Sequence, residues 1–324
     1  MLFRKLILSG LLVTALQVPF ASATGTRSSI QSLLRQGQLQ LNRGHYRSAL
    51  NTFSQVIRSD NRLAVAYSSR CAAHLALGNG QAAAKDCDYA LLLNPNLADG
   101  YIQRGYLYLA AGYPDQAYDD AEQALLIDPK LPHAFNILGE AQFAFGLYPL
   151  ALREFDLALN LDPDFVRALA NRGETKLKLD DRTGAISDYT RAAELNIRVA
   201  IPDPSIRSEV AGNFVSRGES KLNQKDTTGA LRDFNQALIV DPEFAGAYSG
   251  RGNVFLAQGN KEAAIAEYRK ALTFDAGNLT ARDQLTLLLT PSPTPTPTPS
   301  PTPASPGTNS SESSDESSDE TPSS

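Results

Sequence analysis

Seven segments of this chain follow one 34-residue pattern, and an internal repeat of that length constrains the fold more than any other feature. The segments are 30–63, 64–97, 98–131, 132–165, 166–199, 211–244 and 245–278, so 11 extra residues stand between the fifth and the sixth. Alanine holds position 20 throughout, at Ala49, Ala83, Ala117, Ala151, Ala185, Ala230 and Ala264. Position 8 is glycine in every segment except the second, where it is Cys71. Position 24 is an aromatic in five segments, with Cys87 and Ala121 in the second and third. Asn or Asp followed by proline closes four segments, at Pro95, Pro129, Pro163 and Pro242. A residue before proline is pushed out of the α region, so a helix stops there.

Each segment carries two apolar stretches of helical period, and the turn between them often holds glycine, as at Gly44, Gly78, Gly112, Gly146 and Gly259. In an antiparallel helical hairpin, positions at one level have a constant sum. Position 4 therefore opposes 27, 8 opposes 24 and 11 opposes 20, which sets large against small: Tyr101, Phe135, Phe214 and Tyr248 face alanine, and glycine at position 8 admits the ring of position 24. One hairpin cannot bury both its faces, so the units must stack and the ends need caps. Asn278 is placed to N-cap a closing helix over 279–289. Within the insertion, Asp203 suits an N-cap and Pro204 the first helical position, which predicts a sixth-segment first helix starting near Pro204 and about two turns longer than its counterparts. A plain surface loop is the other reading.

These residues resemble the tetratricopeptide repeat (TPR) family over 30–278, about three quarters of the chain. The resemblance implies an all-α, right-handed superhelical solenoid of seven helix-turn-helix repeats over 24–289, including the capping helix 279–289. It also implies a concave face, lined by the first helix of each repeat, that holds extended peptides or partner helices. The candidate partner-binding residues are then Tyr106, Leu109, Asn136, Glu140, Phe143, Arg167, Glu174, Lys178, Glu219, Asn223 and Asn253. Glu140, Glu174 and Glu219 succeed one another at position 9 and point to a ligand of basic character; a solvated face with partly buried leucines is the alternative. No three consecutive repeats carry the lysine, asparagine and arginine set of the carboxylate-clamp subclass.

Position 7 is arginine in five repeats, and position 23 is acidic in the same five. Their sum lies one level from the hairpin contacts, which predicts the ion pairs Arg70–Asp86, Arg104–Asp120, Arg172–Asp188, Arg217–Asp233 and Arg251–Glu267. An anion-binding ladder is the competing reading. The only cysteines, Cys71 and Cys87, occupy positions 8 and 24 of one repeat and face each other, as a disulfide or as two buried thiols. His45, His74 and His133 fall on different faces of different units, and no phosphate loop, His-Glu-x-x-His or nucleophile elbow is present. The chain thus reads as a non-enzyme without metal or cofactor. A formal net charge of −5 with no clustered basic face also excludes a nucleic-acid surface.

The ends differ in kind. Arg4 and Lys5, an apolar run from Leu6 to Val18 and then Ala21-Ser22-Ala23 read as a Sec-type signal peptide over 1–23, with a retained anchor as the alternative. After cleavage no integral membrane span remains. Residues 290–306 form a Pro/Thr/Ser-rich spacer of polyproline type, and 307–324 an acidic, serine-rich tail expected to be disordered. The function expected is an exported, non-catalytic scaffold for proteins or peptides, in the periplasm or secreted to the cell envelope. The alternative is a structural or surface-display protein whose spacer and tail do the work.

Overall fold

The computed structural model describes residues 24–195 and 199–290, with side chains from residue 27 onward. The expected signal peptide, spacer and acidic tail lie outside the described residues. The chain divides into two units, 1–288 and 289–324, and the helical array belongs to the first.

Fifteen helices and no strand occur among the described residues. They pair as α1 (Thr24–Asn42) with α2 (Tyr46–Ser59), α3 (Ala64–Ala76) with α4 (Gly80–Leu93), and α5 (Ala98–Ala111) with α6 (Pro114–Ile127). The series continues with α7 (Pro132–Ala144) and α8 (Tyr148–Leu161), then α9 (Val166–Lys178) and α10 (Arg182–Leu195). Beyond the insertion come α11 (Pro204–Asn223) with α12 (Thr227–Val240), α13 (Ala245–Ala257) with α14 (Lys261–Phe274), and α15 (Leu279–Leu289) as the closing helix. The second helices other than α10 end where Asp or Asn adopts extended backbone, and the carboxylate of Asp60, Asp128 or Asp162 then accepts from the amide two residues on. Competition by that short side chain for backbone donors, with proline next in several of the repeats so ended, stops each helix at the same register.

The level rule governs the core. A Cβ built on Gly139 would stand 2.6 Å from the Phe155 ring, and one on Gly252 2.5 Å from Tyr268, so only glycine admits these aromatics. In the third repeat position 24 is Ala121, and the room over Gly105 is filled from the next repeat by Ile137, 3.2 Å from the same hypothetical Cβ. Where the second repeat has two cysteines, Cys71 and Cys87 are joined by a disulfide with their Cα atoms 5.5 Å apart. The turn at position 15 is left-handed at Gly44, Gly78, Gly112, Gly146 and Gly259, but also at Asp180 and Lys225. A side chain in that region costs ~1 kcal/mol, so the fifth and sixth repeats carry strain that the others avoid.

Those two repeats flank the insertion, and α11 has 20 residues where most first helices have 13 or 14. The Asp203 carboxylate caps it by accepting from the Ser205 amide, with Pro204 in the first turn. Elsewhere first helices pack on first helices, α1 on α3, α3 on α5, α5 on α7, α7 on α9 and α11 on α13. Between α9 and α11 that packing is weaker: Ala170 and Leu177 of α9 border the cluster that Ile206, Val210 and Phe214 of α11 form, and Val199 and Ile201 pack beside them.

Candidate functional site

Two sets of arginine–carboxylate pairs run along the array. In the outer ladder, Arg70, Arg104, Arg172 and Arg217 each donate through Nε and Nη2 to both oxygens of Asp86, Asp120, Asp188 and Asp233, at 2.6–2.9 Å. Arg251 makes one such bond, to Glu267 at 2.5 Å. The third nitrogen, Nη1, reaches back to the preceding repeat, to Ser54, Asp88, Asp156 or Asn235 at its position 25. Arg217 departs from this because the insertion precedes it, and its Nη1 meets Glu194. Each guanidinium therefore ties its own hairpin and the junction behind it, and all five are engaged within the array. At Asp120 burial raises the carboxyl pKa although Arg104 opposes it; at Asp233, where Lys221 joins Arg217 at 2.7 Å, the two cations outweigh burial and lower it.

The second set lies in the layer of first helices. Position 9 of one repeat meets position 2 of the next, 27 residues on. Tyr106 thereby packs edge-on against His133, and Glu140 receives both Nε and Nη2 of Arg167 at 2.6 Å. The same Arg167 guanidinium lies 4.4 Å from the centre of the Tyr106 ring, and Asn136 and Asn171 also donate to Glu140. This cluster is well covered, with the side chains of Arg167 and Glu140 only 9% and 14% exposed. His133 sits against Phe165 at 4.6 Å; burial, then the charge of Arg167, drive its pKa down to about 4, so the ring is neutral.

Above the cluster is a cavity of about 400 Å³. Leu109, Phe143 and Ala170 form apolar walls from α5, α7 and α9, while Ala200 and Pro202 bring the insertion to its rim. Its polar groups are Glu140, Arg167, Asn171, Glu174 and the Tyr189 hydroxyl. Glu174 differs from Glu140 in lacking a partner: it accepts no hydrogen bond from a described residue, and burial raises its carboxyl pKa, with the nearby Lys178 acting against that. The insertion thus lines the weaker junction of α9 and α11 and makes it a walled recess.

Two family models described as tetratricopeptide repeat match residues 34–98 with 215–278, and residues 98–131, together half of the chain. The chain belongs to the tetratricopeptide repeat family. Among solved structures it is similar to PilW, a type IV pilus biogenesis factor, at 16% identity over 81% of this chain and 99% of that one, with a TM-score of 0.47. It is also similar to YrrB, a TPR protein with a peptide-binding site, at 19% identity over 71% and 96% of the two chains and a TM-score of 0.34. A third is the Cut9–Hcn1 assembly of the APC/C, at 16% identity, 82% of this chain, 57% of that chain and a TM-score of 0.42. Comparison with curated proteins gave no match.

TPR arrays are protein-interaction scaffolds and bind proteins or peptides. Of the residues the TPR pattern assigns to the groove, the structure brings Leu109, Glu140, Phe143, Arg167 and Glu174 together around the cavity. Tyr106 and Asn136 lie beneath it, 3% and 0% exposed, and serve to position Arg167 and Glu140 rather than to meet a ligand. Lys178, Glu219 and Asn223 lie away from the lining, and Asn253 accepts from the Tyr268 hydroxyl at 2.7 Å. The three glutamates at position 9 are therefore not one acidic strip, because Arg167 neutralises Glu140. Sequence reasoning missed Asn171, Ala200 and Pro202. The 27-residue spacing from position 9 to position 2 was the signal that could have joined Glu140 to Arg167. No group of three or more metal-ligating side chains occurs among the described residues, and none of the described helices is long and apolar enough to cross a membrane.

Proposed function

We propose that this TPR protein is an exported, non-catalytic scaffold that holds an extended segment of a partner on its first-helix face, at the cavity between the third, fourth and fifth repeats. One observation carries the reading. The array keeps a recess of about 400 Å³ with apolar walls and a carboxylate that has no hydrogen-bond partner among the described residues, within the size range of ligand pockets, at the point where the insertion interrupts its stacking. The basic, apolar and small-residue order of 1–23 supports export, and so does the Cys71–Cys87 bridge, since disulfides persist in oxidising compartments.

A photo-cross-linking residue at Ala170 tests the site, with Asn160 on the opposite helix layer as control. Partner adducts in the native envelope fraction are expected from Ala170 alone, and adducts from Asn160 alone would refute the groove. N-terminal sequencing of the purified protein should begin at Thr24, whereas Met1 would contradict cleavage. Truncation before Thr290 should leave partner capture intact; its loss would favour the reading in which the spacer and tail do the work.

A further inference from the structure

We propose that the cavity beside the insertion receives a lysine or arginine side chain of the partner segment, with Glu174 as its counter-ion. This rests on the groove proposed for the partner. The array itself supplies the template, because position 9 of one repeat meets position 2 of the next, and at Glu140 that register delivers a guanidinium from Arg167 through two bonds of 2.6 Å. One repeat further the corresponding residues are Glu174 and Gly212. Glycine has no side chain to offer, and α9 packs on α11 more weakly than α7 packs on α9. Glu174 thus occupies the place of Glu140, and no cation among the described residues is paired with it as Arg167 is with Glu140.

The surroundings fit a long cationic side chain better than any other. Glu174 is half-buried, which raises its pKa, and Lys178 one turn on lowers it by its charge without coming into salt-bridge contact. Arg167 cannot turn to serve it, being held by Glu140 and covered by the Tyr106 ring. Two carboxylates and one guanidinium leave the lining negative, while Leu109, Phe143, Ala170 and Pro202 give an aliphatic stem apolar surface to cover. A half-buried carboxylate without a partner is unfavourable alone and becomes favourable when a desolvated cation reaches it.

The test uses random extended peptides displayed on phage and selected on the full chain. Individual binders are then titrated against wild type, the isosteric Glu174→Gln and the cavity-filling Ala200→Phe, each first shown to keep the wild-type helical melt. Binders are expected to share a lysine or arginine at one position. Exchanging it for norleucine or citrulline should weaken wild-type binding by about tenfold or more and leave binding to Glu174→Gln, already weaker by that factor, unchanged. Binders that are blocked by Ala200→Phe yet show neither the shared cation nor any dependence on Glu174 overturn the subsite and leave the groove reading standing. Binders indifferent to both substitutions, or no binders at all, overturn both.

Discussion

The second to fourth repeats and the junction of the fifth and sixth are built from one pattern, but they solve the stacking problem differently. In the former, first helix packs on first helix, glycine occupies every left-handed turn, and Glu140 of the fourth repeat finds Arg167 across the interface with the fifth. At the junction the first helices pack more weakly, Asp180 and Lys225 stand where glycine stood, Arg217 turns to Glu194, and Glu174 has no hydrogen-bond or ion-pair partner among the described residues. The difference shows what an insertion does in a nearest-neighbour array: it spares each hairpin but rewrites the interface on either side of it. A recess arises there because the regular stack leaves little uncovered.

The largest expected effect compares two arginines. Arg167→Met strips a buried carboxylate of its cation and should cost ~3–5 kcal/mol in denaturant unfolding. Arg104→Met removes a guanidinium whose side chain is 24% exposed, so water reaches the wound and the loss should be ~1–2 kcal/mol. Equal losses would erase the distinction between the buried cluster and the outer ladder.

Next in size is an acid effect at the same cluster. His133 is buried with its pKa lowered to about 4, against an ordinary value of 6.5. Because the folded value lies below the unfolded one, the unfolded chain binds more protons between them, and stability falls as pH drops from about 6.5 to about 4, by up to about 3 kcal/mol. His133→Phe keeps an aromatic on Phe165 and should flatten that part of the pH profile relative to wild type. A profile of unchanged slope would place the titration elsewhere.

Smaller effects separate glycines by what they face. Gly139→Ala forces a Cβ to 2.6 Å from the Phe155 ring and should cost ~1–3 kcal/mol. Gly105→Ala meets Ile137 at 3.2 Å (Cδ1) and 3.4 Å (Cγ2), contacts a small shift relieves, and the gain in helix propensity should bring it within ~1 kcal/mol of neutral. At the strained turns the sign reverses: Lys225→Gly should stabilise by ~1 kcal/mol, read as a rise in melting temperature, and a fall would mean that the left-handed lysine is compensated locally.

Most of the fold was legible because contacts inside a hairpin follow from position numbers alone. Gly139 under Phe155, Arg104 beside Asp120 and the Asn278 side-chain oxygen accepting from the Ala281 amide are all fixed within one unit or its cap. Contacts between units also depend on how each hairpin is rotated on the last. That is why the Nη1 bonds to the preceding repeat, the burial of Asn136 and Arg167, and the arrival of Ala200 and Pro202 beside Glu174 were not read from the pattern. The insertion's helix was readable from Asp203 and Pro204, because a cap is local; the wall that its preceding residues form was not, since it depends on how α9 and α11 pack.

Hydrogen–deuterium exchange of the full chain, with and without a selected partner peptide, tests most directly the claim that the interrupted interface is the binding surface. The account predicts slower exchange in 166–178 and 199–210 on binding, with the first and last repeats unchanged. Protection confined to the second helices, or to 245–289, would contradict it.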